Sequence, residues 1–440
     1  MQLSDQKRSK ERDFWSNKTG YAMINEDFSQ FSQKNVIFSR VKWDRSYRAY
    51  GKTLAEKQGR RVGKKGYSRV GYAVQSAAWT IYDKYPHSFS WDRIPYPGTV
   101  ELTQLSTSLP KYESKDLGKN SNTVKRVGQI FGAADVGICE IDPKLIYSHD
   151  DEGNPLKLPE GVKYAIILLI EMDGEALRTS PELPASITTG DAYSRMAFSI
   201  SLMGEFLRNL GYIAIQAGND VGLSVPLAIK AGLGEFGRHG MLIHPKFGPN
   251  VRICKVLTDF PMKSDSPIYF GVRKYCQVCQ KCAKYCPPQA IPYDKNPTWE
   301  SPWKTPSNNS GATYKWYVNV DTCYQYWTLN TSDCSNCLAV CHFGKPRSLF
   351  RKFKLFMVRR LPVFNPFWVW LDRAKGKPKI PRRTVCGEEP KIGFFKRNYE
   401  SLKRSISKRP KDGKKWWKRE TRDSDEFWES DEYLGKKMPI

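Results

Sequence analysis

The sequence has no stretch able to cross a bilayer as a helix. Its longest apolar run, Tyr164 to Ile170, falls far short of the roughly 20 residues needed and reads as a buried strand. Met1 to Phe14 is charged and carries no apolar core of a secretory signal, so a cytosolic chain and a mature exported chain would both begin this way. Nucleotide fingerprints are missing too. The glycine-dense loop near residue 232 has the wrong spacing for a Rossmann turn, and no acidic residue follows it at a suitable distance. That loop holds no Gly-Lys-Ser/Thr either, so it is not a P-loop. Histidine is scarce, with five residues (His87, His149, His239, His244, His342) and no Asp-x-His-x-x-Gly arrangement among them. Acidic residues are also few. Against 71 Lys+Arg stand 45 Asp+Glu, a net charge of +26 that suits an anionic partner: nucleic acid, a membrane surface or an acidic protein.

What the chain does have is cysteine, in a pattern. Of eleven cysteines, eight fall between Cys276 and Cys341. Cys276, Cys279, Cys282 and Cys286, followed by Pro287, form the C-x2-C-x2-C-x3-C-P run of bacterial ferredoxins. Cys323, Cys334, Cys337 and Cys341 form a second set, with one member set back. A thiolate every third residue lets a short loop wrap one iron–sulfur cube, and the cysteine after the longer gap reaches a second cube. By that spacing Cys276, Cys279, Cys282 and Cys341 hold one [4Fe-4S] cluster, and Cys286, Cys323, Cys334 and Cys337 the other. Disulfides suit small secreted chains, whereas 440 residues can bury a large core. Zinc prefers paired C-x2-C knuckles, often with histidine. Cys139, Cys254 and Cys386 remain; widely separated and odd in number, they read as small buried hydrophobes.

At 40% hydrophobic residues, this length suits two or three units. Residues 1–122 are basic, aromatic and irregular, with a helix expected from Tyr72 to Tyr82. From 123 to 270 helices alternate with strands, which implies an α/β layer. Helical spacing covers Val124 to Ala134, and Val136 to Ile141 reads as a strand. Val162 to Ile170 reads as a central strand buried on both faces. A helix is expected from about Tyr193 to Leu210, ended by Gly211. Tyr212 to Ile215 is a short strand, Gly218-Asn219-Asp220 a turn, and Pro226 to Ala231 a short helix. Met241 to His244 and Arg252 to Leu257 read as strands. Residues 271–346 hold the cysteine sets, and 347–440 form a tail mixing Lys and Arg with Phe and Trp.

Several of these stretches, taken in order, resemble the cobamide-dependent reductive dehalogenases of organohalide-respiring bacteria. The resemblance covers roughly Lys125 to Pro346. It rests on Tyr193-Ser194-Arg195-Met196-Ala197, Gly218-Asn219-Asp220, Ala231 to Gly240, Lys246-Phe247-Gly248-Pro249 with Arg252, and the two cysteine sets. It implies an α/β (α+β) fold: a nitroreductase-like, corrinoid-binding core at 123–270 and a bacterial-ferredoxin-like two-cluster domain at 271–346. The cobamide would be base-off, with no protein histidine beneath it. Ser224, Val225, Pro226, Ala231, Gly232, Leu233, Gly234, Glu235, Gly237, Arg238, Gly240 and Met241 would line it, mainly through backbone groups. The two [4Fe-4S] clusters would relay electrons to the cobalt.

The resemblance also singles out Tyr193, Asn219 and Arg252 as a catalytic set. Replacing halogen by hydrogen needs two electrons and one proton, with halide released. Tyr193 would be the proton donor. A neutral tyrosine is a poor acid, with an ordinary pKa of about 10, and the Arg252 guanidinium close to its oxygen would favour the phenolate. Arg252 could also meet the halide, and Asn219 would position hydroxyl or substrate. Taken singly, the same residues would pass for a packed tyrosine at a helix start, a turn asparagine and a solvated arginine. Trp79, Phe89, Trp91, Tyr326 and Trp327 are candidate apolar walls for a small halogenated organic substrate.

Members of the family are exported by a twin-arginine signal and then lose it. They sit on the outer face of the cytoplasmic membrane beside a membrane anchor subunit. The mature form is expected here, with the tail docking on the anchor or on anionic headgroups; a homodimer is admissible. Three rivals remain. Epoxyqueuosine reductase, a tRNA-modifying relative with the same cofactors, fits the loop and the cysteines. A basic iron–sulfur protein binding nucleic acid fits the charge, but no recognised module is visible and no nucleic acid is expected. A plain electron carrier would leave the residues before Cys276 without a role.

Overall fold

A computed structural model describes residues 28–52, 60–64, 66–84, 111–303, 305–307, 312–344 and 349–374. Phe89, Trp91, Cys386 and the tail beyond residue 374 lie outside the described residues. In chain order the main elements are α1 (Ile37–Trp43), α2 (Arg69–Lys84), α3 (Leu117–Ile130), β1 (Asp135–Glu140), β2 (Tyr164–Glu171), α4 (Gly174–Leu177), α5 (Leu183–Asn209), β3 (Ala214–Ala217), α6 (Ser224–Lys230), β4 (Glu235–Phe236), β5 (Leu242–Ile243) and β6 (Val251–Thr258). After them come α7 (Val272–Cys279), α8 (Lys281–Lys284), α9 (Val320–Asn330), α10 (Asn336–Ala339), α11 (Leu349–Arg360) and α12 (Asn365–Ala374).

The central sheet has the order β1-β2-β6-β3. All its pairings are antiparallel, although its second strand reads as an uninterrupted apolar run. The run is explained by cover on both faces. Ile166, Leu168 and Ile170 pack on the side of α5, with Met196, Ile200, Met203 and Leu207. Ala165, Ile167 and Leu169 pack on the side of α6, with Leu227, Ala228 and Ile229. With a period of 2, alternate residues feed two separate cores, so no polar position can be spared in β2.

The largest departure from expectation is α5, which begins ten residues before Tyr193, at Leu183. Its first turns, Leu-Pro-Ala-Ser-Ile-Thr-Thr-Gly, hold small and β-branched residues with weak helix propensity. Tertiary contact overrides that weakness. Pro184 sits in the first turn, where it costs no hydrogen bond. Thr189 Oγ1 donates to Ala185 O at 3.1 Å, and Thr188 Oγ1 accepts from Asp173 N at 2.8 Å. Helix α2 lies along the same turns, and Trp79 so nearly touches Gly190 that a Cβ there would lie 2.5 Å from the indole. Tyr193 therefore sits inside a helix and not at its start. Helix α3 likewise starts early, at Leu117, where Asp116 caps it by accepting from Lys119 N at 2.9 Å.

The part of the tail that is described divides its aromatics. Val358, Trp368 and Val369 are buried against Phe270 and Tyr275, whereas Phe353, Phe356, Phe364, Phe367 and Trp370 are exposed. Lys281 Nζ meets Asp372 at 2.9 Å and ties α12 to the start of α8.

Candidate active site and thiol sets

Antiparallel pairing of β3 with β6 places the end of one beside the start of the other, with Ala217 opposite Lys255. Asn219, just past β3, thereby comes near Arg252, the second residue of β6. Helix α5 crosses the sheet and supplies Tyr193. Asn219 Nδ2 donates to Tyr193 OH at 2.6 Å. The Arg252 guanidinium lies over the Tyr193 ring, 5.2 Å from its centroid, and Nη2 donates to Thr189 Oγ1 at 3.3 Å. So the three residues named from sequence do meet, with one change of role: Asn219 is at the phenol oxygen and Arg252 at the ring face. Arg252 Nε is buried and has no hydrogen-bond acceptor among the described residues. Arg252 also acts on the Cys337 thiol, its positive charge opposing the rise that burial imposes.

The Tyr193 ring is clasped by α2. Trp79 stacks on it with centroids 5.1 Å apart, and Tyr82 meets it edge-on at 4.9 Å. These contacts form an aromatic wall beside a half-buried hydroxyl. Trp327 lies elsewhere, packed with Phe38 and Tyr324 against α1, and Tyr326 is buried on α9.

The turn bearing Asn219 is held from below. Lys255 is fully buried, and its Nζ donates to Gly218 O at 2.9 Å and Ser224 Oγ at 3.0 Å. Burial pulls its pKa down to about 8, opposed by the field of Asp220, whose own carboxyl burial pushes up to about 6. Val221 takes φ +67°, a region unusual for a β-branched residue; its carbonyl accepts from Tyr147 N at 2.8 Å. Lys255 escaped notice in the sequence, though a lone lysine in an apolar strand was the available signal.

The glycine loop is closed mostly on the protein itself. A Cβ on Gly232 would lie 2.7 Å from Ser266 O, and one on Gly234 2.3 Å from Ile243 O. These glycines therefore permit backbone-on-backbone packing. Ala231, Leu233 and Pro226 are buried, Ser224 and Val225 half-buried, and Met241 exposed beside Gly240. Two expected corrinoid contacts turn inward. Glu235 is fully buried and its Oε1 accepts from Phe270 N at 2.7 Å and Val272 N at 3.3 Å, at the start of α7. Arg238 donates to Cys276 O at 2.9 and 3.2 Å, to Pro292 O at 2.8 Å and to Asp294 O at 2.7 Å. Both side chains hold the cysteine segment in place.

Cys276, Cys279, Cys282 and Cys341 line one small cavity, together with Arg238, His239, Tyr275 and His342. The field on Cys323 comes from Cys286, Cys334 and Cys337, which groups the other four. This is the crossed grouping read from spacing. Cys282 lies in the field of Cys337 as well, so the two sets are neighbours. Burial pushes Cys276 and Cys286 up to about 12 and Cys337 to about 11. None of the ten described cysteines is in a disulfide. Among the described residues no three His, Cys, Asp or Glu gather closely enough for a single metal ion.

No family model matches the chain. It is 38% identical over 299 residues to a tetrachloroethene reductive dehalogenase of Desulfitobacterium hafniense, covering 59% of this chain and 53% of that one. A tetrachloroethene reductive dehalogenase of Sulfurospirillum multivorans is 30% identical over 350 residues, covering 71% of this chain and 68% of the relative. Among solved structures, the catabolic reductive dehalogenase NpRdhA superposes with a TM-score of 0.63 at 21% identity, over 84% of this chain and 53% of that one. That likeness concerns the fold. The chain spans about half the length of the first of these relatives.

Proposed function

The chain belongs to the reductive dehalogenases, and we propose that it replaces a carbon-bound halogen by hydrogen at a cobamide fed by two [4Fe-4S] clusters. The observation that carries this reading is the meeting of Tyr193, Asn219 and Arg252 from three separate elements next to the thiol sets. When bound, the corrinoid and clusters would supply the two reducing electrons that the residues themselves cannot.

The residues present fit those groups. Four thiols around one cavity, with four more beside them, match a ferredoxin-like pair of cubes at 271–346. Buried thiols with raised pKa values stay protonated until iron replaces the proton. Toward a corrinoid, the fit is at the edge where Asn219 is exposed and Tyr193 and Ser224 are half-buried. The described histidines are engaged elsewhere: His149 with Ser148, His244 with Asp135, and His239 and His342 at the thiol cavity.

The protein's own part is to place the substrate and deliver the proton. Trp79 and Tyr82 give an apolar wall that favours a compact halocarbon. Tyr193 holds the transferable proton at its hydroxyl. As it leaves, the Asn219 N–H and the Arg252 cation stabilise the charge left on the phenol. Arg252, over the Tyr193 ring, is also a cation suited to receive a departing halide. The relatives' names make chlorinated ethenes the first substrates to try.

Anaerobic reconstitution with cobalamin, iron and sulfide, then a screen of halogenated compounds with reduced methyl viologen, tests the reading. Tyr193→Phe should keep iron and corrinoid and lose most dehalogenation. A protein that takes up iron but never a corrinoid, or one that takes up both and reduces epoxyqueuosine in tRNA but no halogenated compound, would overturn it.

We further propose peripheral attachment at the outer face of the cytoplasmic membrane. Among the described residues no helix is long and apolar enough to cross a membrane. Phe353, Phe356, Phe364, Phe367 and Trp370 are exposed beside exposed Arg359 and Arg360, a combination suited to anionic headgroups or an anchor subunit. Liposome flotation that ignores anionic lipid content would argue against it.

A further inference from the structure

We infer that His239 is a hydrogen-bond donor to the cluster held by Cys276, Cys279, Cys282 and Cys341, and that it raises that cluster's reduction potential. The inference rests on the iron–sulfur reading of those thiols. The imidazole is 4% exposed and lines the cavity that the four cysteines enclose. Its Nδ1 accepts from Met241 N at 3.2 Å, so the ring proton is on Nε2. Nε2 is buried and has no acceptor among the described residues. Such a donor is costly to leave unpaired, and the acceptor that chemistry puts in this cavity is sulfur.

The surrounding loop is built to keep the ring there. A Cβ on Gly237 would lie 2.8 Å from Cε1 and 3.0 Å from Nε2 of the imidazole, so glycine at 237 makes the room. Next to it, Arg238 clamps the carbonyl of Cys276 and stacks over Trp316, 4.7 Å from the ring centroid. Consecutive residues thus fix the cysteine-bearing backbone and place one imidazole on the wall of the enclosed space. A hydrogen bond to cluster sulfur withdraws electron density and stabilises the reduced state, which moves the potential upward. His239 would act as a positioning and tuning residue, touching no substrate.

The test is an EPR-monitored redox titration of reconstituted wild-type, His239→Phe and His239→Gln protein, with iron measured in each. The Phe variant should hold as much iron as wild type and show one of its two potentials shifted downward, the other unmoved. Gln keeps an N–H donor and should recover most of the shift. Unmoved potentials in an iron-replete Phe variant would overturn the inference while leaving the cluster reading intact. Wild-type protein that binds no iron would overturn both. Should the Phe variant not fold, His342→Phe protein labelled with 15N-histidine decides, since His342 lines the same cavity: a 15N coupling to a reduced cluster supports the contact, and its absence from both clusters refutes it.

Discussion

Glu235 should make this protein lose stability as pH rises through neutrality, and Glu235→Gln should remove that loss. The carboxyl is fully buried, and burial pushes its pKa from 4.5 up to about 8 despite backbone hydrogen bonds that pull it down. The folded protein therefore keeps the proton until near pH 8, while the unfolded chain releases it near 4.5. Between those values the unfolded state binds fewer protons, so stability falls with rising pH. At 1.36 kcal/mol per unit, the loss reaches roughly 3 kcal/mol by pH 7, of which less than about 1 kcal/mol has accrued by pH 5. Gln presents the same carbonyl to Phe270 N and Val272 N and has no proton to lose. Urea midpoints of the iron-loaded proteins, taken anaerobically from pH 5 to 8, should converge at low pH and separate above it, with the variant more stable. Parallel profiles would refute the reasoning. So would a variant weaker at every pH, since that would mean the site needs the carboxylate.

The other expectations concern the site and its supports. Cys341→Ser and Cys286→Ser should each cost about half the iron but alter different EPR signals, as the crossed ligand sets require; loss of the same signal from both would contradict the grouping. Arg238→Met removes the donors that hold Cys276 O, Pro292 O and Asp294 O, and should cut iron retention at least several-fold on dialysis against a chelator. Lys255→Met relieves a buried charge but frees the Gly218 carbonyl and the turn of Asn219. Turnover should fall on the order of 10-fold or more, and the urea midpoint should drop as the Gly218 carbonyl and Asp220 lose their buried partner; unchanged kinetics would show that the turn needs no support from below.

The sequence alone determined what is local. Cysteine spacing puts Cys276, Cys279 and Cys282 on one wall because a single short stretch carries all three. The apolar run of β2 and the helix stop at Gly211 were likewise legible, since each depends on neighbours along the chain. Tertiary structure decided the rest. Helix α5 starts at Leu183 because Trp79 and the flanking turns support weak helix formers. Tyr193, Asn219 and Arg252 come together only through the antiparallel register of β3 on β6. Whether Arg252 faces the oxygen or the ring, and whether Glu235 and Arg238 point toward a ligand or into the protein, depends on residues tens of positions away. No periodicity records such distances, because they are set by which surfaces exclude water from one another once the layers close.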